Sequence, residues 1–205
     1  VTDPIVLYSN PQSRGRMARW ALEETSVPYR AVMVGYGPSM KSAEYRAINP
    51  MGKVPAIVHD GHVVTEAAAI VLYLAETFPQ AGLAPTAAER ADVLRWMFFA
   101  AGPLEQAVVN RALGVVVPDE RRRMVGYGSF ETAMDTLEYA VTRHPFVAGP
   151  RFTAADIYVG SHVDWGIRFG SIEDRPAFRD YARRVTDREA WRRANRLDDE
   201  AAAAA

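Results

Sequence analysis

The chain has 205 residues, with 24 Lys and Arg against 25 Asp and Glu, a net charge of −1. That balance gives no general pull toward nucleic acid or an anionic membrane surface. Apolar residues at 49% and charged residues at 24% exclude a wholly disordered chain and fit one large domain or two small ones. There is no cysteine, which removes disulfides, thiolate metal ligands, CxxC redox chemistry and a cysteine nucleophile together.

The opening stretch carries no apolar h-region of a signal peptide, and the longest apolar run, residues 67–75, is too short to span a bilayer. A cytoplasmic protein is the expectation. Ile5-Val6-Leu7-Tyr8 is a short apolar run closed by Ser9-Asn10-Pro11, the pattern of a buried strand. Residues 14–25 then place Met17, Ala18, Ala21 and Leu22 on one face at helical spacing, and residues 29–34 read as a second strand. A βαβ unit is thus expected at the start. After a Gly- and Pro-bearing loop, residues 42–47 predict a short helix. Two β-branched runs then flank Asp60-Gly61, a strong hairpin signal. An apolar helix over 66–78 completes the order βαβαββα.

Residues 79–87, with Pro79, Gly82 and Pro85, read as a linker. Beyond it the pattern is helical only. A long amphipathic helix is expected over 88–116 with a kink at Gly102-Pro103, and another from Pro118 to about Arg143. Thr153-Ala154-Ala155-Asp156 is a capping-box signature opening an apolar helix. Short helices are expected over 176–185 and 188–195, followed by a low-complexity, frayed tail over 201–205. The layout predicts two domains: an α/β domain over 1–80 and an all-α domain over 88–200.

Three segments of the first domain could hold a ligand. Asn10 to Arg16 lies between the carboxyl end of a strand and the next helix, where open α/β sheets bind ligands; Ser13 as a helix N-cap accounts for the same spacing. Pro55 either starts a strand or follows a cis bond, and in the cis case the Val54 backbone would be offered to an extended ligand. Glu66 with the amides of Ala67 and Ala68 opens a helix, where an anion meets the N–H groups and a cation the carboxylate. A plain helix start with an acidic first turn explains the same residues. His59 and His62 flank the hairpin turn and are expected to face solvent. His162 reads as a packing residue, and no Ser-His-Asp arrangement or Gly-rich nucleotide loop is present. No metal site is expected.

Several of these segments recur together. Ser13-Arg14-Gly15-Arg16 with Arg19-Trp20-Ala21-Leu22-Glu23-Glu24, then Asn49-Pro50-Met51-Gly52-Lys53-Val54-Pro55-Ala56, then Thr65-Glu66-Ala67-Ala68, and Phe152-Thr153-Ala154-Ala155-Asp156 after Pro145-Phe146-Val147-Ala148-Gly149 resemble a cytosolic glutathione S-transferase of bacterial type. The resemblance covers nearly the whole chain. It implies a thioredoxin-like domain that binds glutathione as co-substrate, and an all-helical domain that supplies the second-substrate pocket. It also implies a cytoplasmic homodimer with a role in detoxification.

By that resemblance Val54 pairs its backbone with the cysteinyl unit beside a cis Pro55. Glu66 holds the γ-glutamyl ammonium, the Ala67 and Ala68 amides hold its carboxylate, and Lys53 neutralises the glycyl carboxylate. Ala67 stands where the family usually has Ser, which removes one hydroxyl contact. Where members carry a Tyr, Ser or Cys to activate the thiol, the spacing falls on Asn10. Ser9 and Ser13 flank it as reserves, and Arg16 adds positive charge. The electrophile is expected against Met40, Phe98, Phe99 and Trp165. The alternatives are a glutathione- or ligand-binding carrier of the same fold with little catalysis, and a glutathione-dependent peroxidase or isomerase.

Overall fold

The computed structural model describes residues 4–204; the first three residues of the expected 1–80 domain and the last of the expected tail lie outside it. The chain divides into two compact units, one formed by the first 84 residues with residue 187 onward, the other by residues 85–186.

In the first unit, β1 (Ile5–Ser9), α1 (Gly15–Thr25), β2 (Tyr29–Met33), α2 (Ala43–Ile48), β3 (Ala56–His59), β4 (His62–Thr65) and α3 (Ala67–Thr77) follow the expected βαβαββα order. The four strands form one sheet in the order β2-β1-β3-β4, with β1 parallel to β2 and antiparallel to β3. This is the thioredoxin-like arrangement. Alternation along β1 decides the packing: Ile5, Leu7 and Ser9 are buried, while Tyr8 points to the other face. There Tyr8 meets Tyr45 of α2, Met40, Ile48 and Val54.

The turn between β3 and β4 needs two left-handed residues, and Asp60 (φ 47°) and Gly61 (φ 76°) supply them. His59 departs from expectation. It is half-buried, with Nδ1 2.9 Å from the Tyr73 hydroxyl and its ring against Phe78, because the hairpin lies beside α3.

The last helix, α9 (Glu189–Ala203), packs on α1 and so belongs with the first unit, not with the helical domain. Residues 201–203, expected to fray, continue it. Ion pairs account for the docking. Arg19 Nε donates to Asp198 Oδ1 at 2.8 Å with both side chains buried, Arg193 pairs with Glu23, and Arg188 with Glu24 at 2.6 Å. Burial pushes the Asp198 carboxyl above the usual range, opposed by the Arg19 charge.

The second unit is helical: α4 (Arg90–Phe99), α5 (Glu105–Ala112), α6 (Phe130–Thr142), α7 (Ala154–Arg168) and α8 (Pro176–Thr186). The expected 88–116 helix is two helices joined by a π turn over Ala100–Leu104, where Pro103 lacks the N–H that regular α geometry needs. Of the helix expected from Pro118 to about Arg143, only the second half forms, as α6. In the first half only a short 3-10 segment, Asp119–Met124, forms. Extended Val125 ends it, Gly128 follows at φ 67°, and Ser129, whose Oγ accepts from the Thr132 N–H at 3.1 Å, starts α6.

The capping box is realised in full. Asp156 accepts from the Thr153 and Val147 amides and from the Tyr181 hydroxyl, and this buried cluster fixes the start of α7. Among the described residues no helix is long and apolar enough to cross a membrane.

Candidate functional site

Ladder register brings three loops to one end of the sheet. Tyr8 of β1 pairs with Ala56 of β3, and Ala56 with Thr65 of β4. One step beyond these pairs, the loop after Ser9, the Val54-Pro55 bond and Glu66 come to the same edge.

The loop from Asn10 to Gly15 is held by its own hydrogen bonds. Asn10 Nδ2 donates to the Val34 carbonyl at 3.0 Å, and Asn10 Oδ1 accepts from the Gln12 N–H at 2.9 Å. The Ser13 hydroxyl donates to the Asn10 carbonyl at 2.6 Å and accepts from the Gly15 N–H at 2.9 Å, at the start of α1. Asn10 is therefore mostly engaged in tying its loop to the end of β2, with one amide hydrogen to spare. Ser13 is half-exposed.

Ser9 is 0% exposed and its Oγ has no hydrogen-bond partner among the described residues. It faces Gly15, where a Cβ would stand 1.9 Å from Ser9 Oγ. Burial takes it out of reach of a ligand, contrary to its place among the expected catalytic residues. The strand extends through Ser9, and its alternation turns that side chain inward with Ile5 and Leu7. Arg16 is also turned away, onto Pro11 and α9.

The second loop is built partly by residues to which the sequence assigned no role at the site. Asn49, buried at 4%, donates through Nδ2 to the Lys53 carbonyl at 2.8 Å and accepts from the Met51 N–H. The Tyr45 hydroxyl donates to the same carbonyl at 2.6 Å. Burial, aided by nearby Tyr8, pushes its pKa up to about 12, so it remains a donor at any ordinary pH. Lys41 Nζ donates to the Met51 and Gly52 carbonyls at 3.1 and 2.8 Å. Gly52 sits at φ 55° with a hypothetical Cβ 2.6 Å from the Met40 carbonyl, so only glycine fits. Asn49 and Gly52 stand in the segment that carries the resemblance, but nothing in sequence marked Lys41 or Tyr45.

The Val54-Pro55 bond is cis. Val54 is half-buried and Lys53 exposed. At the third loop, Glu66 is exposed at φ 65° and ψ 117° and caps α3, its carbonyl accepting from the Ile70 N–H at 2.9 Å. The amides of Ala67 and Ala68 begin an 11-residue helix, whose dipole favours an anion there.

Of the four residues expected to line the electrophile pocket, one lies in the first unit and three in the second. Met40 is 3% exposed in the core under Tyr8 and Tyr45, in the first unit. Its side chain is consumed by packing. Phe98, Phe99 and Trp165 lie in the second unit. Phe98 is 71% exposed on α4, Phe99 packs edge-on against Trp96 at 5.8 Å, and Trp165 is half-buried on α7. Among the described residues no group of three His, Cys, Asp or Glu is placed to hold a metal ion.

Residues 13–77 match the glutathione S-transferase N-terminal domain family. The chain is 28% identical over 172 residues to the glutathione S-transferase GST-4.5 of Xanthomonas campestris pv. campestris, spanning 80% of this chain and 83% of that protein. It is also 28% identical over 176 residues to the maleylacetoacetate isomerase of Dictyostelium discoideum, covering 80% of each. Among solved structures, the theta class glutathione S-transferase of Xanthomonas axonopodis pv. citri with glutathione bound aligns over 93% of this chain and 96% of its own. The TM-score is 0.72 and the identity 27%.

Proposed function

We propose, from the premise that this chain belongs to the glutathione S-transferase family, that it is a glutathione transferase that joins the glutathione thiolate to a small electrophilic, apolar substrate. One observation carries the reading: the β1-β3-β4 register gathers the Ser13 loop, Val54-Pro55 and Glu66 at one sheet edge. A tripeptide with one cationic and two anionic ends meets complementary groups along that edge. The exposed Glu66 carboxylate suits the γ-glutamyl ammonium, the Ala67 and Ala68 amides its carboxylate, the Val54 backbone the cysteinyl unit, and Lys53 the glycyl carboxylate.

Ser13 is the group best placed to meet the thiol. It is half-exposed at the start of α1, whereas Ser9 is buried and Asn10 is tied to Val34. Its hydroxyl hydrogen passes from the Asn10 carbonyl to the sulfur, and a hydrogen bond to a charged acceptor outweighs the neutral one it replaces. The helix dipole of α1 adds to the stabilisation of the thiolate. Asn10 keeps the loop in place and Arg16 stands behind it. In this reading the electrophile is received by the helical unit, from the side of Phe98, Phe99 and Trp165.

The same reading makes the protein a cytoplasmic homodimer that works in detoxification. A solution mass of a single 205-residue chain by sedimentation would rule out the dimer. The decisive experiment is calorimetric titration with glutathione, followed by ultraviolet absorbance of the bound thiolate against pH. Ionisation below about pH 7.5, against about 8.5 for a free thiol, supports the transferase. Binding without ionisation supports a carrier. Because a maleylacetoacetate isomerase is among the relatives, glutathione-dependent cis-trans isomerisation of a maleyl diketone is the second activity to assay.

A further inference from the structure

Arg16 is expected to meet a ligand, yet three of its nitrogens point elsewhere. Nη1 donates to Asn195 Oδ1 at 3.1 Å and Nη2 to Asp199 Oδ1 at 2.6 Å, both on α9, while Nε donates to the Pro11 carbonyl at 2.6 Å. A guanidinium is planar and rigid, so fixing two corners on α9 fixes the direction of the third. That third corner reaches the loop next to Asn10, whose carbonyl receives both the Ser13 N–H and the Ser13 hydroxyl.

Docking of α9 does not need this contact. Arg19–Asp198, Arg193–Glu23 and Arg188–Glu24 already hold the helix along α1. Asp199 itself is 67% exposed, and an ion pair so open to solvent adds little to folding. What the Arg16 contacts add is a connection between the end of the chain and the loop at the sheet edge.

We propose that Asn195 and Asp199 are positioning residues: they aim Arg16 at the Pro11 carbonyl and thereby hold Ser13 in place to meet the thiol. The proposal rests on Ser13 as the thiol's hydrogen-bond donor. Its direct chemical consequence is that the charge of Arg16 is neutralised at α9 and not lent to the sulfur. The loop is held by geometry instead.

The test compares the full chain with the double variant Asn195→Ala/Asp199→Ala and with Asp199→Asn, which removes the charge but keeps one acceptor oxygen at residue 199 beside that of Asn195. Amide hydrogen exchange in the glutathione-free protein is read over residues 10–14. Thiolate absorbance against pH, kcat and KM for glutathione are then read on the same samples. The double variant is expected to exchange faster in this loop and to ionise bound thiol at higher pH. It is also expected to lose about tenfold in kcat while KM changes less than twofold. Asp199→Asn is expected to recover most of the rate.

Unchanged exchange at residues 10–14 overturns the proposal whether or not glutathione binds. A thiol that ionises at lower pH in the double variant overturns it too, since Arg16 would then act as a restrained charge and not as a tether. Failure of the unaltered chain to bind glutathione is a different result. It removes the functional reading, while hydrogen exchange still decides whether α9 holds the loop.

Discussion

The Asn10 side chain donates to the Val34 carbonyl across 24 residues of sequence, at 3.0 Å, and so closes the end of β1 onto the end of β2. Val34 is buried, and its carbonyl would lose a partner in Asn10→Ala. That variant should lower stability by about 1–2 kcal/mol, read as a shift in the urea midpoint with m unchanged. Because Asn10 acts through the loop, its rate should fall less than that of a Ser13 variant.

Ser13→Ala removes the hydroxyl but leaves the Ser13 N–H bond to the Asn10 carbonyl. A hydrogen bond to a charged group stabilises by about 1.5–3 kcal/mol, and 1.36 kcal/mol corresponds to one pKa unit. Bound glutathione should therefore ionise about one to two units higher than in the unaltered protein, with kcat at neutral pH lower by about 10- to 100-fold. A Ser13→Ala profile that overlays the original would return the role to Asn10.

Ser9→Ala should behave in the opposite way. The Oγ it removes is buried without a partner among the described residues, and deleting such a group relieves a desolvation cost of about 1 kcal/mol. Unchanged or raised stability in denaturant is expected. Gly15→Ala, whose new Cβ would collide with the same Oγ, should be destabilising by about 1–3 kcal/mol. Ser9→Gly in the same chain should recover part of that loss.

How far the sequence reveals the molecule depends on the range of the interactions. The strands and α1 to α3 are written in short apolar runs, helical spacing and Asp60-Gly61, so they are legible in order and nearly in extent. The 118–129 stretch misleads because its charged run resembles a helix face, whereas Gly126 and Gly128 interrupt it before Ser129 caps the next one. Local geometry is legible at Val54-Pro55, where the bond is cis, and at Glu66, which caps α3. Contact is not legible where a long side chain chooses its partner in space. Arg16 reaches the Pro11 carbonyl nearby in sequence, but it also pairs with Asp199, 183 residues away. Met40 has the composition of a pocket residue and the surroundings of a core residue.

Ala67 offers a gain-of-contact test. It is buried at the first turn of α3, next to the exposed Glu66. Ala67→Ser adds one hydroxyl beside the amides proposed to hold the γ-glutamyl carboxylate. An ordinary hydrogen bond contributes about 0.5–1.5 kcal/mol, so calorimetry should give roughly two- to tenfold tighter glutathione binding. Weaker binding would place the carboxylate elsewhere.

Acid should weaken the helical unit through Glu89. Its Oε1 accepts from Arg151 Nε at 2.8 Å and its Oε2 from Arg151 Nη2 at 2.5 Å, and the Thr86 N–H and hydroxyl also donate to Oε2 at 2.9 Å. The Arg151 hydrogen bonds, with those from Thr86, hold the Glu89 carboxyl down to about 2. An unfolded Glu ionises near 4.3. Because the folded value is the lower one, the contribution is complete above about pH 5 and disappears as pH falls toward 2. Arg151 is partly exposed, so solvent screening limits the gain to about 1 kcal/mol or less. Chemical unfolding measured from pH 7 to 2 should therefore show a steeper acid limb in the unaltered chain than in Glu89→Gln. The two curves should converge at the acid end, where both side chains are neutral. A parallel offset at every pH would mean that Glu89 acts through packing and its cap on α4, not through its charge.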